Sequence, residues 1–241
     1  TDVGLDGVRF LLEAFDSADA ESTFFTVSSI LPSQSDLIKE IANQGHEIAS
    51  HTHTHRLLTE LSETERKDEL RTSREQLAAV SGTEIGGFRA PAFDIPTSHF
   101  SLLEEAGYSY DSSVAPSRAI PGWYGGEYDV ERPCSANTIQ ENAPETLREL
   151  PVSVMPALRL PLTGTWLRFF GHQYTRIGMR LLARRGINPV LYVHPWELVD
   201  LPKVEGVPPR VYWRTGRWMR RAVKTVLQEP FEFVTARELA G

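Results

Sequence analysis

The chain has 241 residues, 41% of them hydrophobic and 24% charged, with a formal net charge of -7. This is the composition of one globular domain with a sizeable core, and the dispersed acidic balance gives no footprint for nucleic acid. A single cysteine, Cys134, excludes an internal disulfide, and no apolar run reaches the length of a membrane span. No signal peptide is visible, so no compartment follows. The chain starts at Thr1 without a methionine, an expectation that residues have been removed upstream, where a secretion signal or anchor could stand.

In chain order, Gly7 to Ala18 carries helical periodicity with Val8, Leu11, Leu12 and Phe15 on one face, and residues 22–27 follow as a strand. Ser35 to Asn43 is the next helix, stopped at Gly45. A short strand, Glu47 to Ser50, then runs into a turn or first helical turn holding three histidines. Ser62 and Glu65 have the spacing of a capping box and open a long charged helix to about Val80. A strand at 86–90, a helix from Thr97 to Ala106 and a strand from Tyr108 to Asp111 continue the alternation, which predicts parallel pairing and βαβ units. Residues 115–143 break the rhythm with proline, glycine and aromatic residues, Trp123 and Tyr124 among them. They read as an ordered excursion of the kind that shapes a groove. Regular structure resumes with a strand at 149–153 and a helix from Tyr174 to Arg185. The most apolar strand, 189–194, follows, and a closing strand runs from Phe231 to Thr235. The basic stretch from Arg210 to Lys224 reads as the solvated face of an amphipathic helix.

Chemistry concentrates where strands end. His51 and His55 lie one helical turn apart, so both imidazoles can face one side and share a cation while His53 points elsewhere. Two imidazoles are a common half of a zinc-type site, which needs one or two more ligands and an open position for water. The same residues also read as surface histidines on a polar turn. Arg89 ends one strand and His194 another, and in a parallel α/β barrel or open sheet such residues converge at the carboxyl ends. Each has a plainer reading, Arg89 as a salt-bridged structural arginine and His194 as a packed core histidine. His46 precedes the site on its strand and reads as a buried structural residue, while His99 and His172 have no constellation around them. Trp196 suits either the wall of a sugar groove or the core.

Taken in order, Thr23-Phe24-Phe25, Gly45-His46-Glu47-Ile48 with His51 and His55, Arg89-Ala90-Pro91, Tyr110-Asp111-Ser112-Ser113 and Leu191-Tyr192-Val193-His194-Pro195-Trp196-Glu197 resemble a known set of motifs. They are similar to those of the polysaccharide deacetylases with a NodB homology domain, carbohydrate esterase family 4. Residues 111–113 with 194–197 look most like the branch associated with exopolysaccharide synthesis loci. The resemblance implies an α/β fold, a distorted (β/α) barrel with its first strand truncated, forming one catalytic domain over residues 1–241. It implies metal-dependent hydrolysis of N- or O-acetyl groups on an acetylated glycan, with zinc the foremost ion and cobalt, manganese or nickel as substitutes. It further implies His51 and His55 as metal ligands, His194 as general acid and Arg89 orienting the base carboxylate. Asp111 would line the groove or pair with His194, and a backbone N–H near Tyr110 or a neighbouring loop would meet the oxyanion. Tyr110, Pro91 and Trp196 would lie along the substrate. The family's acidic first-strand motif is not clearly present, since only Thr1-Asp2-Val3-Gly4 precedes the first helix. Asp2 stands at the family's distance from Thr23 and is the candidate third ligand, which puts the base upstream of Thr1. In the alternatives, Asp2 is itself the base with water or another group as third ligand, or it is a helix N-terminal or loop acid. A non-catalytic glycan-binding relative and a hydrolase of another C–N bond, such as a cyclic amide, stay open.

Overall fold

The computed structural model describes residues 2–120 and 125–241 and, of Asp2, the backbone alone. Trp123 and Tyr124, expected on the excursion, lie outside the described residues. The helices are α1 (Leu5–Asp16), α2 (Leu31–Asn43), α3 (Glu63–Ser81), α4 (His99–Glu105), α5 (Gly164–Phe170), α6 (His172–Arg184), α7 (Pro209–Tyr212), α8 (Arg217–Leu227) and α9 (Ala236–Ala240). The strands are β1 (Thr23–Thr26), β2 (Glu47–Ser50), β3 (Gly87–Phe88), β4 (Tyr110–Asp111), β5 (Cys134–Ser135) and β6 (Arg148–Glu149). They fall into two compact units, residues 21–151 with 234–241, and residues 1–20 with 152–233.

The first unit is a mixed α/β layer built on a six-stranded sheet in the order β1-β2-β3-β4-β6-β5. β1 to β4 and β6 pair in parallel, and β5 adds an antiparallel edge to β6. β2 is buried at every position, as a parallel strand covered on both faces must be. Its neighbours are fixed by register, with Phe24 opposite Ile48, Ser50 opposite Phe88, and Asp111 opposite Glu149. The capping box that opens α3 forms as its spacing predicts. Ser62 N–H donates to Glu65 Oε2 at 2.8 Å, and Glu65 N–H returns to Ser62 Oγ at 3.4 Å. Gly45 takes φ 90° after α2, a conformation that costs glycine nothing and reverses the chain into β2.

The second unit is mainly helical. Phe10, Leu11 and Ala14 of α1, Met179 and Leu182 of α6, and Met219, Ala222, Val223 and Val226 of α8 share one apolar core. The basic face of α8 is only partly solvated, because Arg220 and Lys224 place their cationic ends 5.1 and 5.4 Å from the Phe10 ring. Residues 189–194, expected as the most apolar strand, are not one. Leu191 and Val193 pack on the helical core, but the backbone makes single contacts, Ser153 N–H to Val190 O at 3.2 Å and Gly164 N–H to Tyr192 O at 2.7 Å. Residues 231–235 likewise form no ladder, and the sequence missed α5 and β5 altogether. Among the described residues, no helix is long and apolar enough to cross a membrane.

Within this unit α1 meets the turn after His194 at backbone contact. A Cβ on Gly7 would lie 2.0 Å from the Pro195 carbonyl oxygen, so only glycine fits there. Gly7→Ala is expected to cost about 1–3 kcal/mol through overpacking, read as a lower urea midpoint at unchanged slope. An unchanged midpoint would mean that the contact yields freely.

Candidate active site

β2 ends at Ser50, and the histidines follow in a bent loop, not in a helical turn. Thr52 and His55 take φ 67° and 64°, and the segment is tied down by side chains. His55 N–H donates to Thr52 Oγ1 at 3.0 Å, and Glu69 of α3 accepts from the N–H groups of His53 and Thr54, both at 2.8 Å. The Thr54 hydroxyl adds a third bond to Glu69 at 2.5 Å. A carboxylate acceptor thus supplies what helix carbonyls would otherwise have given these donors. His53 turns away to Ser28 Oγ at 2.7 Å. The rings of His51 and His55 meet edge to face with centroids 5.0 Å apart.

His51 Nδ1 lies 2.6 Å from the carbonyl oxygen of Arg89. A carbonyl can only accept, so Nδ1 carries the proton and Nε2 keeps its lone pair, the arrangement of a metal-ligating imidazole with its outer partner in place. The Arg89 side chain is buried. Its Nε and Nη2 donate to Ser112 O at 2.8 Å and Ser112 Oγ at 2.6 Å, and its guanidinium lies 4.1 Å from the Phe25 ring centre. The two imidazoles fit two places of a four-coordinate ion. Among the described residues, no group of three His, Cys, Asp or Glu side chains could complete one, and the Asp2 side chain lies outside them.

Several other expected residues are placed away from any surface. Asp111 is fully buried. Its Oδ2 lies 3.1 Å from His99 Nε2, and its Oδ1 accepts from Ser113 Oγ at 2.6 Å. His99, expected to stand apart, is therefore part of a buried cluster, and Asp111 lines no open groove. Tyr110 is 1% exposed and donates its hydroxyl to Glu47 Oε2 at 2.9 Å. Its own N–H is spent on Gly86 O at 3.1 Å. Burial, with the Glu47 carboxylate close by, pushes the Tyr110 phenol well above its ordinary range. Pro91 is buried too, ahead of Ala92 and Phe93 at φ 53° and 59°. His46 is buried against Phe24, and burial pushes its imidazole pKa down.

In the helical unit the His194 side chain is about half exposed. Its ring stacks on Trp196 at 5.7 Å and meets Tyr192 edge-on at 5.3 Å. Trp196, half-buried, also faces the Arg168 guanidinium at 5.1 Å. The carboxylate beside His194 is Glu197, which is fully buried. Its Oε2 accepts from the His194 N–H at 2.9 Å and lies 3.5 Å from Nδ1, while Oε1 accepts from Arg168 Nε at 2.8 Å. Burial alone would raise the Glu197 pKa, but His194 and Arg168 outweigh it and hold the carboxyl below its ordinary value. Asp2 begins a single turn of 3-10 helix, Asp2–Gly4. That turn lies against the same segment, where a Cβ on Gly4 would be 3.7 Å from Pro195 Cβ.

Residues 2–110 match the model of the polysaccharide deacetylase family. These residues belong to that family. Residues 112–241 match a second model, a domain of unknown function named DUF3473. Among curated proteins, the chain is 31% identical over 122 residues to the peptidoglycan deacetylase-like protein FGM2 of Gibberella zeae, covering 49% of this chain and 36% of that one. It is 25% identical over 115 residues to a peptidoglycan deacetylase of Helicobacter pylori, covering 48% and 39%. The chain thus spans little more than a third of the length of these relatives. A Mycobacterium smegmatis protein assigned as a polysaccharide deacetylase superposes with a TM-score of 0.68 at 23% identity, over 98% of this chain and 76% of that one. That likeness fixes the NodB-type α/β fold.

The two family models meet inside the sheet. β4 closes the first, and the segment from Ser112 through Glu149 to Glu197 belongs to the second. Sequence reasoning missed Glu69, Glu149, Arg168 and Glu197. The signal for Glu197 was its place three residues after His194, and Arg168 stood out only as a charge among apolar neighbours, while Glu69 and Glu149 carried none. Glu149 and Asp111 are direct neighbours in the ladder and fully buried. Burial and the Asp111 charge push the Glu149 pKa well above 4.5, so it is neutral when Asp111 is ionised. A raised folded pKa means a contribution to stability that is complete below the unfolded value and lost as pH climbs through the folded one. Glu149→Gln keeps the neutral form at every pH. Its urea midpoint should therefore fall less than the parent's as pH rises above the ordinary carboxylate range, and equal slopes would show that Glu149 is ionised in the fold.

Proposed function

We propose that this chain is a metal-dependent hydrolase that removes an acetyl group from an acetylated glycan. The family supports deacetylase activity. The observation that carries the metal reading is the His51–His55 pair, two imidazoles edge to face with His51 held in the Nδ1–H tautomer by the Arg89 carbonyl. His51 and His55 would hold the ion, zinc foremost, with Asp2 as the candidate third ligand. When bound, the ion supplies charge that polarises the acetyl carbonyl and brings the pKa of water toward neutrality.

The chain's own groups do the rest. Arg89, fixed on Ser112 and Phe25, keeps its carbonyl on His51 and so favours the neutral tautomer whose Nε2 carries the lone pair. His194 donates a proton to the leaving amine or alcohol, a step that matters most for an amine, the poorer leaving group. A second reading is a glycan-binding relative without turnover.

Metal content after zinc loading and desalting tests the site. About one equivalent in the parent and little in His51→Ala and His55→Ala is expected for an ion shared by two imidazoles. Acetate release should fall by about a hundredfold or more in His194→Ala, the scale of a lost general acid. Full-length protein that binds chitooligosaccharide yet frees no acetate from it, from muropeptides or from aryl acetates would establish the binder instead.

A further inference from the structure

We propose that the helical unit docks on an anionic lipid bilayer through the exposed side chains of Phe170, Val204, Val207 and Trp213 and the basic residues Lys203, Arg210, Arg214 and Arg217. The proposal goes beyond the deacetylase reading and uses none of the residues that carry it. Charge first sets this surface apart. Residues 164–228 hold twelve Lys and Arg against three Asp and Glu, in a chain whose net charge is -7. Glu197, one of those three, is buried against Arg168, and Glu229, just beyond the stretch, is bound by Arg176 and Arg180. Asp200 and Glu205 are what is left to oppose the cations within it.

Two segments build the surface. Phe170 and Trp213 are each 53% exposed, Val204 and Val207 are 58% and 37% exposed, and Lys203, Arg210 and Arg217 are exposed as well. Val204 N–H donates to the Tyr212 hydroxyl at 2.8 Å, and Val207 N–H donates to Val204 O at 3.3 Å. The two valines therefore lie on one hydrogen-bonded loop. That loop joins the α5–α6 turn through Arg214, whose Nη1 donates to Arg168 O at 3.3 Å and lies 3.9 Å from where a Cβ on Gly171, next to Phe170, would stand. The same guanidinium is 5.5 and 4.8 Å from the Trp213 and Trp218 ring centres. Phe170 in turn stacks on Trp166 at 5.6 Å and tilts against Tyr174 at 5.1 Å. Large apolar side chains clustered in water mark a contact surface. Arg220 and Lys224 are outside it, since both are drawn to Phe10.

Aromatic and cationic side chains interleaved in this way suit the headgroup region of a bilayer. Trp and Phe rings there bridge apolar and wet layers, and Lys and Arg meet lipid phosphates and gain from the negative surface potential. α8 adds to the field. It opens at Gly216 with no side-chain cap and no acid in its first turn, so the Arg217 charge joins the positive end of the helix dipole. An acidic glycan would satisfy these charges equally, and the valines decide for lipid. Their aliphatic side chains offer a sugar no ring face and no hydrogen bond, whereas an acyl layer takes up both.

Flotation with extruded vesicles tests the docking. The chain is expected to rise with phosphatidylcholine vesicles holding about 30% phosphatidylglycerol, to stay down with phosphatidylcholine alone, and to detach as added salt screens the charges. Combined Lys203→Glu, Arg210→Glu and Arg217→Glu should lower the partition coefficient by about tenfold or more. Combined Val204→Ser and Val207→Ser should lower it by about fivefold or more. All five side chains are exposed, so neither variant should move the urea midpoint. Arg184→Glu, about 18 Å along α6 from the patch, is the control and should change partition by less than about twofold. Tryptophan emission should shift to the blue on binding, and Trp213→Phe should lose most of that shift. Sodium alginate is the competing probe. A parent that does not float with the anionic vesicles, or an Arg184→Glu loss as large as the triple variant's, overturns the proposal. So does alginate binding as tight as vesicle binding with both unmoved by the valine changes, which would assign the surface to an acidic glycan.

Discussion

The first unit depends on one register. Ser50 pairs with Thr26 and Phe88, Phe88 with Asp111, and Asp111 with Glu149. Each next residue then donates its N–H sideways, His51 to Thr26 O, Arg89 to Ser50 O, Ser112 to Phe88 O and Leu150 to Asp111 O. The strands are so short that this row is where the sheet stops and the chemistry begins. Side-chain bonds repeat it one level up, from His51 Nδ1 to Arg89 O, from Arg89 Nε to Ser112 O and from Ser112 Oγ to Leu150 O. A slip of one residue in any strand would turn its side chains to the opposite face. The histidine pair is therefore only as well placed as four backbone bonds allow.

That register also explains which parts of the fold were legible. β2 was readable to the residue because Ile48 and Ala49 form a short apolar centre between Gly45 and a polar turn. α3 was readable because its capping box is local chemistry. The strand expected at 189–194 failed because its apolar residues serve a helical core, and burial by helices looks the same in sequence as burial in a sheet. The family motifs exposed His51, His55, Arg89 and His194, yet gave Tyr110 and Pro91 as substrate contacts when both are packed inside. A motif records which residues recur around a site, and the ones that hold its walls recur with the ones that face it.

The buried carboxylates show why charge state could not be read from sequence. Glu149 and Glu197 are both fully buried glutamates, and desolvation opposes the charge of each. Glu149 has a like charge, Asp111, beside it in the ladder, and the neutral form wins. Glu197 has Arg168 and His194, and the anion wins. The difference is a matter of partners within a few ångströms, drawn from positions 29 residues away in one case and 38 in the other.

The histidine loop shows the same logic applied to backbone strain. A helical spacing correctly brought His51 and His55 together, but for a reason that does not hold. Thr52, His55, Ala92 and Phe93 are non-glycine residues in the left-handed region, each costing on the order of 1 kcal/mol. A helical turn after Ser50 would avoid the first two of these costs. It is outcompeted because Glu69 accepts three hydrogen bonds from the loop, and Asp94 takes the N–H and hydroxyl of Thr59 just beyond it. Charge-assisted bonds of this kind are worth about 1.5–3 kcal/mol each, enough to outweigh the strain. The distance between the imidazoles is thus set by a carboxylate on a neighbouring helix, fourteen residues beyond His55, and not by the helical geometry that their spacing suggests.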